Sequence, residues 1–133
     1  MRPSRSLEMR ILLCEDQDAI RRMIEALVSA SGHEVTGVRT GAEAIELALK
    51  EPFDVVLLDL MLPGMDGFEV CTRLRADPAT AKLPIVIISA LDDKESRDQA
   101  KRAGATAYYA KPFRPLELLQ YIGGLESGLD TGA

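Results

Sequence analysis

No apolar run in the chain approaches the roughly 20 residues of a membrane span, so no membrane partner is expected. Arg2 and Arg5 have no apolar core behind them, so the N-terminus is not a secretory signal. The two cysteines, Cys14 and Cys71, sit in apolar surroundings without CxxC spacing. They read as buried thiols of a cytoplasmic protein rather than as a disulfide or a metal pair. Positive charge is in deficit: 16 Lys and Arg against 21 Asp and Glu leave a net charge of −5. That argues against direct binding of nucleic acid, which needs a large basic surface. The single histidine, His33, follows a glycine at a turn and reads as an ordinary surface residue. No internal repeat or low-complexity segment is evident.

What remains is the composition of one soluble globular domain: 133 residues, 47% apolar and 28% charged. Met9 is the expected start of the domain. Residues 1–8 read as a disordered extension, 9–126 as the domain and 127–133 as a flexible tail, or the stub of a linker. A stand-alone domain and a fragment of a longer protein both remain open.

The organising stretch is Val55-Val56-Leu57-Leu58-Asp59. Four consecutive aliphatics predict a strand buried on both faces, as in a parallel sheet covered by helices. A carboxylate appears where the apolar run stops, and Leu60-Met61-Leu62-Pro63-Gly64-Met65-Asp66-Gly67 then reads as a loop. In open parallel sheets, chemistry is placed at the carboxyl ends of strands.

The rest of the chain repeats this alternation. Met9–Cys14 predicts a first strand, and Asp18 can cap a helix carrying Ile20, Met23, Ile24, Leu27 and Val28. Gly32 suits a left-handed helix end. Glu34–Arg39 predicts a second strand. Thr40 to Glu43 is a capping box for a helix carrying Ala44, Ile45, Leu47, Ala48 and Leu49. Asp66 opens a third helix with Phe68, Cys71 and Leu74 inward. Ile85–Ser89 is a fourth buried strand, and Asp92-Asp93 favours the start of a fourth helix. Ala107–Ala110 is a short fifth strand, and Pro115 suits the first position of a fifth helix. That helix contains Gly123-Gly124 and is the weakest. Five strands alternating with five helices predict an α/β doubly wound parallel sheet, in flavodoxin-like order 2-1-3-4-5.

In that order the ends of strands one, three, four and five are neighbours. They deliver Glu15 and Asp16, Asp59, Ser89 and Lys111 to one sheet edge. Three crowded carboxylates repel unless something positive intervenes. Oxygen ligands with open positions suit a hard divalent cation such as Mg²⁺. With a lysine and a hydroxyl beside them, these are parts that stabilise a phosphoryl group in transfer.

From Met9 to about Ile122 the sequence resembles the receiver domains of two-component response regulators, the CheY-like family. The resemblance implies a phosphorylation-dependent signalling switch rather than an enzyme. Asp59 matches the phosphoacceptor. Glu15, Asp16 and Asp59 match the ligands of Mg²⁺, joined by the backbone carbonyl of Met61. Ser89 matches the switch hydroxyl, Lys111 the phosphate-binding lysine and Tyr108 the switch aromatic. Pro112 matches a proline that follows a cis peptide. The implied partners are a sensor histidine kinase or histidine phosphotransfer protein, and a downstream effector protein or output domain. Family members that dimerise through the fourth helix, fifth strand and fifth helix usually carry an acidic residue before the switch aromatic and late basic residues in the fifth helix. Here Thr106-Ala107 precedes Tyr108, and that helix has no Lys or Arg in its later turns.

Other readings fit less well. Phosphatases of the haloacid-dehalogenase type place a general-acid Asp two residues after the nucleophile, where this chain has Met61. A flavin-binding relative needs a phosphate-cradling loop after the first strand, where Glu15-Asp16 repels phosphate. A module that kept the fold and lost the chemistry would not need the intact set of five.

Overall fold

The computed structural model describes the backbone of residues 8–131 and the side chains of residues 8–125. The N-terminal extension expected over residues 1–8 falls almost wholly outside the described residues, as do 132–133 of the expected tail. The elements are β1 (Arg10–Cys14), α1 (Asp18–Ala30), β2 (Glu34–Val38), α2 (Gly41–Lys50), β3 (Val55–Leu58), α3 (Gly67–Ala76), β4 (Ile85–Ser89), α4 (Lys94–Ala103), β5 (Ala107–Ala110) and α5 (Pro115–Thr131). All strand pairs are parallel and the order is β2-β1-β3-β4-β5.

Alternation along each strand divides the interior in two, because successive side chains point to opposite faces. Leu12, Cys14, Val56, Leu58, Ile85 and Ile87 face one layer, built with α2, α3 and α4. Ile11, Leu13, Val55, Leu57, Val86 and Ile88 face the other, built with α1 and α5. This is why β3 and β4 read as unbroken apolar runs. Truncating one such side chain to alanine costs about 2–5 kcal/mol.

Several local expectations meet the structure differently. The N-cap of α1 is Gln17, which makes no side-chain cap bond; Asp18 is the first helical residue. Its carboxylate is drawn to Arg21 at 2.7 Å and Arg39 at 3.4 Å instead. The inner face of α2 is Gly41, Ala44 and Ala48, while Leu49 is exposed. The reason is close packing on α3: a Cβ on Gly41 would stand 2.5 Å from Val70 Cγ2. Val70 itself is buried in α3 beside Cys71 and Leu74, whereas Phe68 is half-buried. His33 is half-buried rather than an ordinary surface residue, and its Nδ1 accepts from the Met9 N–H at 3.1 Å.

Other expectations hold. Thr40 and Glu43 form the full capping box, with Thr40 Oγ1 accepting from the Glu43 N–H. Asp66 accepts from the Glu69 N–H and Asp93 from the Ser96 N–H. Gly32 and Gly104 take φ of +92° and +105° after α1 and α4, conformations that side chains with a Cβ disfavour. Both cysteines are free and buried.

Candidate functional site

Register fixes what meets at the C-terminal edge of the sheet. Cys14 pairs with Leu58, Leu58 with Ile87, and Ser89 with Ala110. The residues just past these ends therefore converge. Glu15, Asp16 and Asp59 each offer a carboxylate oxygen, all within 4.8 Å of one another. Asp59 is 5% exposed and Glu15 only 2%, while Asp16 lies at the rim. The β1–β3 contact is continued past the strands by the Asp59 N–H, which donates to the Cys14 carbonyl at 3.1 Å.

Lys111 enters from the end of β5. Its Nζ donates to Glu15 Oε1 at 2.7 Å and to Asp59 Oδ2 at 3.0 Å. Burial alone would lower the Lys111 pKa. Hydrogen bonds and charges from Glu15 and Asp59 outweigh it and raise it, so the ammonium stays charged. Burial pushes the Glu15 carboxyl up despite Lys111 and the Gln17 N–H. Burial, with the negative charges of Asp59 and Glu15, also pushes the Cys14 thiol up to about 12, which leaves it inert. The peptide between Lys111 and Pro112 is cis, as the family resemblance implies.

The loop after β3 is tied to Asp59 through its backbone. The Met61 N–H donates to Asp59 Oδ1 at 3.1 Å. The Met61 side chain is 56% exposed, so it stands beside the acidic pocket instead of filling it. The Gly67 N–H donates to the Leu60 carbonyl at 2.9 Å and starts α3 there. A Cβ at Gly67 would stand 2.5 Å from the Asp59 carbonyl oxygen, so only glycine lets α3 close on this loop.

Ser89 is fully buried, and its Oγ accepts from the Leu91 N–H at 3.1 Å. The Tyr108 hydroxyl donates to the Leu91 carbonyl at 2.6 Å. One peptide segment is thus held by both residues that the family resemblance pairs as a switch. Sequence reading missed Leu91, because it acts through its backbone. The same holds for the Gln17 N–H, which donates to Glu15 Oε2 at 3.1 Å.

The donor set fits Mg²⁺. Three hard carboxylate oxygens lie within 4.8 Å of one another, ligands of the kind a hard divalent cation such as Mg²⁺ would take. Lys111 supplies only one positive charge to these carboxylates.

Comparison with known proteins agrees with this geometry. The response regulator receiver domain family matches residues 11–123. Response regulator PleD of Caulobacter vibrioides is 39% identical over 116 residues, 87% of this chain. The chain spans only 26% of that relative's length. Among solved structures, the receiver domain of sensor histidine kinase PA1611 from Pseudomonas aeruginosa, with a magnesium ion coordinated in its active site cleft, superposes with a TM-score of 0.84. It is 31% identical, and the match covers 90% of this chain and 98% of that one. Chemotaxis protein CheY4 of Vibrio cholerae gives a TM-score of 0.84 at 30% identity, covering 89% and 98%. A family match that runs from β1 into α5, over a sheet wound in the same order, makes this chain a member of the response regulator receiver domains, the CheY-like phosphorylation switches of two-component signalling.

Proposed function

We propose that Asp59 accepts a phosphoryl group from a phosphohistidine on a sensor histidine kinase or histidine phosphotransfer protein. The resulting state is read by a downstream effector protein or output domain. The observation that carries this reading is Lys111, whose ammonium bridges Glu15 and Asp59 at the sheet edge. A carboxylate oxygen of Asp59 attacks phosphorus while the nitrogen–phosphorus bond breaks. The imidazole nitrogen keeps that electron pair and takes up a proton. Lys111 then exchanges its bond to Asp59 for one to a phosphoryl oxygen.

Glu15, Asp16 and Asp59, with the Met61 backbone carbonyl, are the residues that would hold Mg²⁺. When bound, the ion neutralises charge on the phosphoryl oxygens. Ser89 is suited to sense the new group. Its Oγ accepts from Leu91 and its hydroxyl can donate to a phosphoryl oxygen. Phosphorylation adds about −1.5 to −2 charge at this point. A shift of Ser89 toward it pulls on the Leu91 peptide, and through its carbonyl on Tyr108 and the start of α4.

Ile20, Met23, Pro112, Phe113 and Pro115 line, together with Lys111, an open apolar groove of about 380 Å³. This surface borders the pocket and suits the helices that carry a donor histidine. The unit that does this is residues 9–126, placed in the cytoplasm and without direct contact to nucleic acid. Its only chemistry is Mg²⁺-dependent self-phosphorylation from small donors and slow loss of the phosphoryl group. The test is incubation with a small acyl phosphate and Mg²⁺, then intact mass. The wild type gains one phosphoryl group and Asp59→Asn gains none. An equal gain in Asp59→Asn would overturn the assignment.

A further inference from the structure

Beyond the acidic pocket, one charged cluster has no part in the chemistry above. It stands where α4 begins. Arg97 Nε and Nη2 both donate to Asp92 Oδ1, at 2.9 and 2.5 Å. The Arg97 guanidinium lies over the Tyr108 ring, its central carbon 4.6 Å from the ring centroid. The hydroxyl of the same ring donates to the Leu91 carbonyl. Tyr108 is therefore held twice, at its rim by a backbone oxygen and on its face by a cation.

The ring also has somewhere to go. A hollow of about 220 Å³ borders it, lined by Arg97, Ala100, Lys101, Ala105 and Ala107 as well as Tyr108. Three alanines and Thr106 supply its small side chains, with Arg97 and Lys101 beside them. Arg97 both lies over the ring and lines this hollow.

We propose that Arg97, oriented by Asp92, is a positioning residue that holds Tyr108 packed against the segment between β4 and α4 before any phosphoryl group arrives. The inference deepens the reading of Tyr108 as the switch aromatic and rests on it. An exposed Arg–Asp pair alone would carry little weight. Here the carboxylate matters as an anchor. By taking two N–H donors, it stops the guanidinium from swinging into solvent. The planar cation can then lie against the ring quadrupole. The packed ring is not created by phosphorylation on this view. It is a resting state that Arg97 favours, and a phosphoryl group needs only to tighten Ser89 and Leu91 around it. Burial raises the Tyr108 pKa, with Ser89 and Arg97 opposing, which agrees with a ring seated between the core and the cation.

The experiment uses the whole chain labelled with 3-fluorotyrosine. The three tyrosines are assigned by single Tyr→Phe replacements. Fluorine spectra are recorded for the wild type, Arg97→Ala, Arg97→Lys and Asp92→Asn, with and without Mg²⁺ and beryllofluoride. Arg97→Ala is expected to shift the Tyr108 resonance away from its beryllofluoride-bound position, leaving Tyr109 and Tyr121 in place. The ratio of packed to released ring should fall about two- to fivefold, the range of an exposed cation–π contact. Arg97→Lys should restore part of the shift. Asp92→Asn should move the resonance the same way as Arg97→Ala, by less. A Tyr108 resonance unmoved in Arg97→Ala, or equal shifts of all three tyrosines, overturns the proposal. The switch reading fails separately: if Arg97→Ala releases the ring and beryllofluoride does not draw it back, Arg97 positions Tyr108 but Tyr108 does not report the phosphoryl site. If beryllofluoride moves Tyr108 in every variant alike and Arg97→Ala does nothing without it, the switch stands and the role of Arg97 falls.

Discussion

Removing the ammonium of Lys111 while keeping its bulk, as in Lys111→Met, isolates the electrostatics of the site. In the wild type, Lys111 sits between two carboxylates whose side chains are 2% and 6% exposed. Deleting one partner of a buried ion pair costs about 3–5 kcal/mol, because the other charge is left uncompensated. Glu15 softens this. Burial already pushes its carboxyl up, so it can take a proton when Lys111 is gone. We therefore expect the lower end, about 3 kcal/mol. At roughly 3–5 °C per kcal/mol for a chain of this length, the melting temperature in metal-free buffer should drop by about 9–15 °C.

Magnesium should then reverse much of the loss. Lys111 bonds Glu15 Oε1 and Asp59 Oδ2, and these two residues belong to the proposed metal cluster. Without the lysine, a divalent ion meets no competing cation. A ligand at about 100 times its dissociation constant adds about 2.7 kcal/mol. Thermal melts across a magnesium titration, at neutral pH, compare wild type, Lys111→Met and Asp16→Asn. The shift per added magnesium should be largest in Lys111→Met and nearly absent in Asp16→Asn. If Lys111→Met melts with the wild type in chelator, the three carboxylates are not strained against one another and the reasoning is wrong. Equal magnesium shifts in those two proteins would refute the competition.

Three other outcomes are expected. Met61 can neither orient water nor accept its proton, so Met61→Asn and Met61→Glu should hasten spontaneous loss of phosphate from Asp59 without much change in Mg²⁺ affinity; identical decay in all three proteins, followed by intact mass, would count against this. Amide exchange should be faster around Gly123-Gly124 in α5 than around Ile24 and Val28 in α1, since neither glycine has a neighbour for a Cβ to touch; equal protection would show that something else holds α5. Hydrogen bonds hold two cap carboxyls below their usual range: the Arg39 N–H and Thr40 hydroxyl for Glu43, the Ser96 hydroxyl and N–H for Asp93. Their stabilisation is complete above the ordinary values of about 4.3 and 3.9 and is lost as pH falls through the lower folded values, so Glu43→Gln with Asp93→Asn should flatten the acid limb of a melting-temperature profile below about pH 4.

Much of the architecture was legible because the helix-covered sheet writes itself twice, once as apolar runs and once as polar strand ends. Val55–Leu58 and Ile85–Ser89 had to be central, since no surface strand tolerates such runs. Once the order was set, the convergence of Glu15, Asp16, Asp59 and Lys111 followed from register alone. Caps were less legible. Asp18 has the composition of an N-cap, yet a cation on either side, Arg21 and Arg39, offers its carboxylate a better partner than the helix N–H groups. Arg75 shows the limit more sharply. It reads as one basic residue in the last turn of α3. In the structure its guanidinium bonds the Gly104 carbonyl at 2.9 Å, the Ala81 carbonyl at 3.2 Å and the Leu83 carbonyl at 2.6 Å. It thereby pins the end of α4 to the chain entering β4. Nothing in residue spacing marks that role, because its partners are carbonyls that every residue carries.

The same distinction explains the site. Side-chain chemistry at strand ends is specific, and a pattern can find it. The parts that couple those side chains to the fold are backbone groups: the Met61 N–H on Asp59, the Leu91 N–H on Ser89 and the Leu91 carbonyl under Tyr108. Any residue except proline supplies such an N–H, so Met61 and Leu91 are free to vary in side chain without losing the contact. Substitution there should tune rates, while substitution of Asp59, Lys111 or Ser89 should remove the proposed function. Arg97 belongs to neither group. Its role depends on one side chain lying on another, in a helix whose other face is solvent. Its sequence signal is no more than an arginine five residues after an aspartate. A chain with the same strand ends and a different residue at 97 would keep the phosphoacceptor and lose the bias on Tyr108. Two receivers with the same pocket can therefore differ in how much of the active arrangement they hold at rest.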